Sequence, residues 1–375
     1  MVTSWPPRHC GIATYSYDLV SALKELGVAT EIICHIDGEK GNSAVHPIID
    51  LSDPSWDTLL YQEVKKINPN LIHIQHEFGL YEHSFNGEKD KAAGLFRPLY
   101  LWKTENQPVI ITYHTIMAKM PRWMNDYYKC TFDLATMNIV HEEYQFAWLF
   151  PNLEEIPKNV RIIPHGTKVI SIDKEECKRK FGYSGKRVLG CIGWWEPNKG
   201  FERVIRLWPE IKKQLTEEVI LVIAGEVRPL SPSGREAKEK ILEAYKNSPA
   251  KDSVFLIQGA FSVEEYDQVL ASFDLVALPY NQASQSGNLS RAFGLGIPAL
   301  VSDLEGLAAE IERSHAGETA KVGDDEELIR KTVNLIKNPE YLDYLSRRAQ
   351  EYAKDISWLE TAKKHLETYK GTVSK

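Results

Sequence analysis

The segment 275–301 places the strongest constraint on the fold, because it joins two apolar runs through a polar turn and a helical pattern. The apolar run 275–278 predicts a buried strand, which Pro279 ends. The amphipathic stretch 286–295 predicts a helix, and the apolar run 299–301 predicts a second strand. Two strands joined through a helix are expected to lie parallel in one sheet.

The start of this helix is a candidate anion-binding site. Ser286 and Gly287 lie where backbone N–H groups have no partner inside the helix and where the helix dipole is positive. Gly287 has no side chain to keep a phosphate away from the backbone. The alternative is an ordinary strand–loop–helix connection, since Ser-Gly turns are common.

Strand and helix patterns alternate along the rest of the chain. The strands are predicted at 30–35, 71–74, 109–113, 138–140, 160–163, 187–193, 219–224 and 254–258. The helices are predicted at 12–26, 201–215, 263–272, 326–337, 341–354 and 359–369. This alternation predicts doubly wound parallel sheets, and a chain of 375 residues predicts two such domains with a cleft between them.

Composition and charge narrow the class of protein. The net charge is −7, so the chain has no excess of basic residues that would attract nucleic acid. The five cysteines are scattered, without metal-ligand spacing, which is typical of a reducing compartment. No apolar run of membrane-spanning length occurs, and the segment 5–8 interrupts any signal peptide. We therefore expect a cytoplasmic protein.

Several polar residues and glycines follow predicted strands directly. Ligands of parallel sheets bind beyond the carboxyl ends of the strands, so we expect these residues to converge on one cleft. They are Gly11, His76, His114, Gly193, Lys199, Glu226 and Ser286.

Six short segments carry a resemblance to a known family. They are 6–14, 73–79, 112–115, 163–166, 198–200 and 284–287. Their order and spacing resemble those of retaining glycosyltransferases of the GT-B fold, in family 4, and within it a mannosyltransferase-like branch. The resemblance implies an α/β protein with two Rossmann-like doubly wound domains that face each other across a cleft. It implies an acceptor domain at 1–168, a nucleotide-sugar domain at 169–353 and a helix at 354–375 that crosses back.

The activity that the resemblance implies is transfer of a hexose, with mannose favoured, from a nucleotide sugar to a hydroxyl acceptor with retention of configuration. GDP-mannose or a UDP-hexose would be the donor substrate, without a separate cofactor. The acceptor would be a saccharide or a lipid-linked molecule. A nucleotide-sugar epimerase and a non-catalytic sugar-binding relative remain alternatives. Peripheral membrane contact would use the segment 95–103, which is equally consistent with the core.

The resemblance also implies roles for individual residues. Lys199 and His114 are the catalytic candidates, and Lys199 would meet the phosphate charge as a point charge. The implied donor and phosphate contacts are Gly11, Lys199, Glu226, Ser286, Gly287, Asn288 and Arg291. The implied sugar and acceptor contacts are His76, Glu77 and His114. Each could instead be structural or solvated, and Arg291 could pair with a nearby carboxylate rather than with phosphate.

The chain departs from the family pattern at two places. The Glu-x7-Glu pair that most members carry is replaced by Ala283 and Arg291. Trp194 stands where members often have an arginine, and Trp194 and Trp195 could be core residues or could stack on a base. No Asp-x-Asp pair lies near the predicted cleft loops, so we expect catalysis without a metal.

Overall fold

The computed structural model describes residues 1–374 except 9, 82, 86, 87, 91–93, 118, 154, 216, 217, 229, 230 and 284, and describes only the backbone of 83–85 and 88–90. His9 and Ser284, which belong to two segments of the family resemblance, therefore lie outside the described residues. The chain forms two compact units, Met1–Gly166 with Trp358–Lys375, and Thr167–Ser357.

Helices and strands alternate along the described chain. The helices are α1 Gly11–Glu25, α2 Trp56–Ile67, α3 Phe96–Thr104, α4 Arg122–Leu134, α5 Glu143–Leu149, α6 Lys174–Phe181, α7 Phe201–Lys213, α8 Pro232–Asn247, α9 Val263–Ala271, α10 Gly287–Gly294, α11 Glu305–Ser314, α12 Asp325–Lys337, α13 Pro339–Asp355 and α14 Trp358–Val373. The strands are β1 Ile32–His35, β2 Val45–Ile49, β3 Ile72–His76, β4 His83–Phe85, β5 Glu88–Asp90, β6 Val109–Tyr113, β7 Met137–Val140, β8 Val160–Ile162, β9 Arg187–Ile192, β10 Val219–Gly225, β11 Val254–Gln258, β12 Leu275–Leu278, β13 Ala299–Ser302 and β14 Gly317–Ala320.

The first unit is built on parallel strands in the order β3-β6-β7-β8, beside the parallel pair β1-β2. Val2 connects the two groups, because it forms parallel bridges with Ile33 and with Ile74. Strand neighbours therefore run β2-β1-Val2-β3-β6-β7-β8, and the order reverses between Val2 and β3. Such a reversal opens a crevice beyond the carboxyl ends of the strands. The start of α1 and the end of β3 border this crevice.

The second unit holds a parallel sheet in the order β11-β10-β9-β12-β13-β14, whose order reverses between β9 and β12. Its core is made by fully buried strands such as Val219–Gly225, which are covered by apolar side chains of the helices. The loops after β9 and β12 lie on either side of the reversal, so the sheet order predicts a ligand crevice between them.

The segment 95–103 is part of the core. Leu95, Leu99 and Trp102 are buried, and α3 exposes Tyr100 on its other face. The structure therefore supports a role in the core for this segment. Its apolar face is buried and is not available to contact a membrane surface. Among the described residues, no helix is long and apolar enough to cross a membrane.

Candidate functional site

Two loops of the second unit meet at the reversal between β9 and β12. The backbone N–H of Asn281 donates to the carbonyl oxygen of Asn198 at 2.9 Å, and the side-chain amide of Asn198 donates to the carbonyl of Gln282 at 3.1 Å. Gly200 allows this close approach, because its φ is +64° and a Cβ there would lie 2.5 Å from the carbonyl oxygen of Pro279. The two loops therefore form one polar surface at the crevice.

Lys199 stands on this surface, half-buried, at the end of a short 3₁₀ turn. Its Nζ lies 3.7 Å from the centre of the Tyr280 ring, in a cation–π contact. Within the described part of the chain, no carboxylate pairs with this ammonium group. Lys199 therefore brings an uncompensated positive charge to the crevice.

Helix α10 begins in the same crevice, with Ser286 as its N-cap and Gly287 as its first residue. The Ser286 side chain does not cap the helix, and its Oγ lies 3.4 Å from the Tyr280 hydroxyl. Among the described residues, no carbonyl accepts the backbone N–H of Gly287 or Asn288. These two backbone amides and the positive end of the helix dipole are the features that an anion-binding site requires.

The side chain of Asn288 is committed to the protein. Its Nδ2 donates to the carbonyl of Ile192 at 2.9 Å, and its Oδ1 accepts from the Tyr266 hydroxyl at 2.6 Å. A Cβ on Gly193 would lie 2.6 Å from the same Nδ2, at a φ of +136°. Asn288 therefore ties the start of α10 to the end of β9, and only its backbone amide is left for a ligand.

Arg291 pairs with a carboxylate. Its Nε lies 2.5 Å from Oδ1 of Asp267, and its Nη2 donates to the carbonyl of Val263 at 3.0 Å. The guanidinium also lies 4.8 Å from the centre of the Tyr266 ring. The sequence left open whether Arg291 pairs with a carboxylate or with phosphate, and the structure shows the carboxylate pair. The phosphate contact remains a prediction, which this geometry does not favour.

Glu226 follows β10 directly and is half-buried, with its backbone carbonyl accepting the N–H of Trp195 at 2.8 Å. Trp195 is a core residue, with its side chain fully buried. Trp194 is half-buried, and the Arg228 guanidinium lies 5.7 Å from the centre of its ring. Of these two tryptophans, only Trp194 has surface left to stack on a base.

In the first unit, Gly11 begins helix α1 after the N-cap Cys10. A Cβ on Gly11 would meet no heavy atom of the described residues within 4 Å. Packing of the unit therefore does not require glycine here, and the helix start remains open beside the crevice.

Glu77 and His114 lie at the carboxyl ends of neighbouring strands. Glu77 accepts the backbone N–H of Phe78 at 3.1 Å and the hydroxyl proton of Thr115. His114 is 9% exposed, and both of its ring nitrogens already have partners, Gln75 at 2.9 Å and His141 at 3.3 Å. A substrate hydroxyl would have to replace one of these partners in order to bond the ring.

His76 lies in the core. Its side chain is fully buried among aromatic rings, and its Nε2 lies 2.9 Å from the Tyr127 hydroxyl. Burial lowers the pKa of His76 to about 3, so the ring is neutral. The acceptor contact implied by the resemblance remains a prediction, and this buried position does not favour it.

Sequence patterns did not single out His141, which contacts Nδ1 of His114. His141 follows β7 as His114 follows β6, and this repeated position after a strand was the available signal. Burial lowers the pKa of His141 to about 3, and that of His114 well below its ordinary range, with neighbouring histidines adding to the effect. Across the described residues, no group of three or more His, Cys, Asp or Glu is arranged to hold a metal ion.

A family comparison bears on the second unit. Residues 173–352 match the model of the family described as "Glycosyl transferases group 1". The matched residues all lie within the second unit. An uncharacterized glycosyltransferase of Methanocaldococcus jannaschii is 23% identical over 221 residues, which are 58% of this chain. The match spans about half the length of that relative, 54%.

Solved structures share the fold over nearly the whole chain. Anabaena HepE in complex with UDP superposes with a TM-score of 0.75 at 13% identity and covers 99% of both chains. A glycosyltransferase from Rickettsia africae gives a TM-score of 0.74 at 13% identity, over 99% of this chain and 98% of that one. WaaG, a glycosyltransferase involved in lipopolysaccharide biosynthesis, gives 0.65 at 15% identity over 99% of each chain. The predicted α/β GT-B fold is thus confirmed.

Proposed function

We propose that this protein is a glycosyltransferase that moves a hexose from a nucleotide sugar to a hydroxyl acceptor with retention of configuration. The observation that carries the proposal is the crevice between β9 and β12, where Lys199 and the N-cap of α10 both contact Tyr280. The structures of HepE with UDP and with UDP-glucose support it, since that protein has the same fold.

The crevice suits departure of a nucleoside diphosphate. As the bond to the sugar breaks, negative charge grows on the diphosphate, and the Lys199 ammonium and the amides of Gly287 and Asn288 would stabilise it. Each preorganised donor of this kind is worth roughly 10²–10³-fold in rate. The departing phosphate would help to deprotonate an acceptor that attacks the same face of the sugar, so no protein nucleophile is needed.

The donor would be GDP-mannose or a UDP-hexose, with mannose favoured by the resemblance of the sequence motifs. The acceptor would be a saccharide or a lipid-linked hydroxyl, bound by the first unit at the edge that holds Glu77 and His114. No separate cofactor and no metal would take part.

A panel of nucleotide sugars tests the proposal, with release of nucleoside diphosphate measured with and without candidate acceptors. Acceptor-dependent release from one donor, with an axial anomeric product from an axial donor, is the expected result. Interconversion of sugars without acceptor would replace the proposal with an epimerase. Tight nucleotide binding without turnover of any donor would replace it with a sugar-binding relative.

A further inference from the structure

A continuous line of polar side chains crosses the first unit, from helix α14 to the end of strand β8. Consecutive members lie within hydrogen-bond reach of one another. The contacts are Tyr369 Oη to His73 Nδ1 at 2.7 Å, His73 Nε2 to Gln75 Nε2 at 3.2 Å, Gln75 Oε1 to His114 Nε2 at 2.9 Å, His114 Nδ1 to His141 Nε2 at 3.3 Å, and His141 Nδ1 to the Ile163 carbonyl oxygen at 2.8 Å.

One end of this line sets its direction. The carbonyl oxygen of Ile163 can only accept, so Nδ1 of His141 must carry a proton. A neutral His141 then has a lone pair at Nε2, and His114 must donate to it from Nδ1. A neutral His114 is left with a lone pair at Nε2, and this nitrogen faces Gln75.

The amide of Gln75 can satisfy both of its neighbours. The structure places its oxygen towards His114 and its NH₂ group towards His73. Rotating the amide by 180° exchanges the two, a choice that the hydrogen-bond network decides. The NH₂ group then donates to the lone pair of His114, and the oxygen accepts from Nε2 of His73, which also lies 2.8 Å from the Thr112 hydroxyl oxygen. Nδ1 of His73 then accepts the hydroxyl proton of Tyr369. Every contact along the line is supplied with one hydrogen, and every side chain is neutral. This orientation gives up only a 3.9 Å contact with the sulfur of Met1, a weak acceptor.

Without that rotation, the Gln75 oxygen faces His114 and the line requires a charged ring. That oxygen would demand a proton on Nε2 of His114, and the two nitrogens between His114 and His141 would then both carry lone pairs. An additional proton on one ring would remove that conflict. Burial opposes such a cation, since it lowers the pKa of both histidines. The neutral line is therefore the favoured arrangement.

We propose that Tyr369, His73, Gln75 and His141 are positioning residues that hold His114 neutral, with Nδ1 protonated and Nε2 presented as a hydrogen-bond acceptor. Helix α14 takes part through the Tyr369 hydroxyl, which lies 296 residues from His73 along the chain. A substrate hydroxyl that displaced the Gln75 amide would donate to Nε2. That last step rests on the proposed function, whereas the protonation pattern does not.

Ring-nitrogen NMR shifts of histidine-labelled protein test the pattern directly. At neutral pH, His114 and His141 are both expected as neutral rings with the proton on Nδ1. Gln75→Glu places an acceptor where a donor is needed, so His114 should gain a proton at Nε2 and titrate as a cation. If turnover uses the Nε2 lone pair, the pH–rate profile of Gln75→Glu should gain an ionisation on its acid side.

Tyr369→Phe removes a single hydroxyl and tests the part played by α14. The His114 signals should then show a mixture of tautomers, with kcat lower by up to about tenfold, the worth of one neutral hydrogen bond, and KM little changed. Tyr344→Phe, at a side chain that is 45% exposed in the other unit, is the matched control and should change neither.

Two results would overturn the inference. A parent His114 that carries its proton on Nε2, or that is cationic at neutral pH, would contradict the direction of the line. If the His114 tautomer is unchanged in Tyr369→Phe, helix α14 has no part in setting it. If the NMR pattern is as expected but no donor is turned over, the proposed function is wrong, while the inferred protonation of His114 still stands.

Discussion

The ammonium group of Lys199 lies 3.7 Å from the centre of the Tyr280 ring, and the two residues come from loops on opposite sides of the strand-order reversal. A ring face holds a cation in place without neutralising it as a carboxylate would. Tyr280 also places its hydroxyl 3.4 Å from Oγ of Ser286, at the start of α10. One buried tyrosine therefore connects Lys199 with the start of α10.

Replacing Lys199 with alanine should weaken binding of a nucleoside diphosphate. A charge-assisted hydrogen bond is worth about 1.5–3 kcal/mol, so affinity should fall roughly tenfold or more. Titration calorimetry with UDP and GDP measures this loss. Lys213→Ala is the control, because that side chain is 73% exposed on α7 and should leave affinity unchanged. Equal affinity of Lys199→Ala and the parent would remove Lys199 from the phosphate site.

The pair of Arg291 with Asp267 should stabilise the fold rather than bind the donor. The side chain of Asp267 is 9% exposed, so Arg291→Met would leave a buried carboxylate without its partner. We expect the free energy of unfolding to fall by about 2–3 kcal/mol, somewhat less than for a fully buried pair. Urea denaturation followed by tryptophan fluorescence measures the change.

A double replacement separates stability from binding at this pair. Arg291→Met with Asp267→Leu should recover much of the lost stability, because no charge is then buried alone. Its affinity for nucleotide should equal that of the parent. A large loss of affinity in this variant would show that Arg291 contacts phosphate after all. Arg291→Glu, which restores one carboxylate of the family pair, should not raise activity, because it would face Asp267.

Acid should destabilise the first unit before carboxylates begin to titrate. Burial lowers the pKa of His76, His141 and His365 to about 3, against an ordinary value near 6.5. Between these values the unfolded chain binds protons that the folded chain does not, so stability is lost as pH falls below 6.5. Each group contributes a slope of about 1.4 kcal/mol per pH unit once its unfolded form is fully protonated.

Hydrogen exchange of β6 and β7 between pH 6 and pH 5, corrected for the intrinsic exchange rate, measures this loss. His365→Phe removes one of these groups, whose Nδ1 lacks a partner among the described residues, and should make the slope shallower. A pH-independent free energy of opening over this interval would contradict the expectation.

Much of the fold was predictable because the central strands are continuous apolar runs. The strands at 109–113, 254–258 and 275–278 have the predicted bounds. For two of the edge strands that were missed, the reason is physical. Gly317–Ala320 has no apolar run and is a strand because it pairs with β13, while Val45–Ile49 contains Pro47, which an edge position tolerates.

The candidate site was predictable only in part. Position after a strand located Lys199 and Ser286, because strand ends are visible in sequence. The partners of a side chain are not visible in this way. Asp267 lies on α9 and Tyr369 on α14, and only the folded chain brings them to Arg291 and His73. The sequence therefore predicted which strand ends carry polar residues, but not which side chains already have partners.

Activity should persist without a divalent metal. The negative charge of a leaving diphosphate would be met by Lys199 and the amides of α10 instead of a cation. Turnover in excess EDTA should equal that in Mg²⁺ or Mn²⁺ within about twofold, once a donor is known. Abolition by EDTA with recovery on adding either ion would show that a metal takes part.

The start of α10 should bind the phosphates through its backbone, so that Gly287 matters more than Ser286. Gly287→Val places a branched side chain where the phosphate would approach the amides, and donor affinity should fall by about tenfold or more. Ser286→Ala leaves the amides intact and removes a 3.4 Å contact with Tyr280, so its effect should be smaller. Calorimetry with nucleoside diphosphate, together with a thermal melt that shows each variant folded, separates the two. A folded Gly287→Val that binds nucleotide as the parent does would place the diphosphate elsewhere.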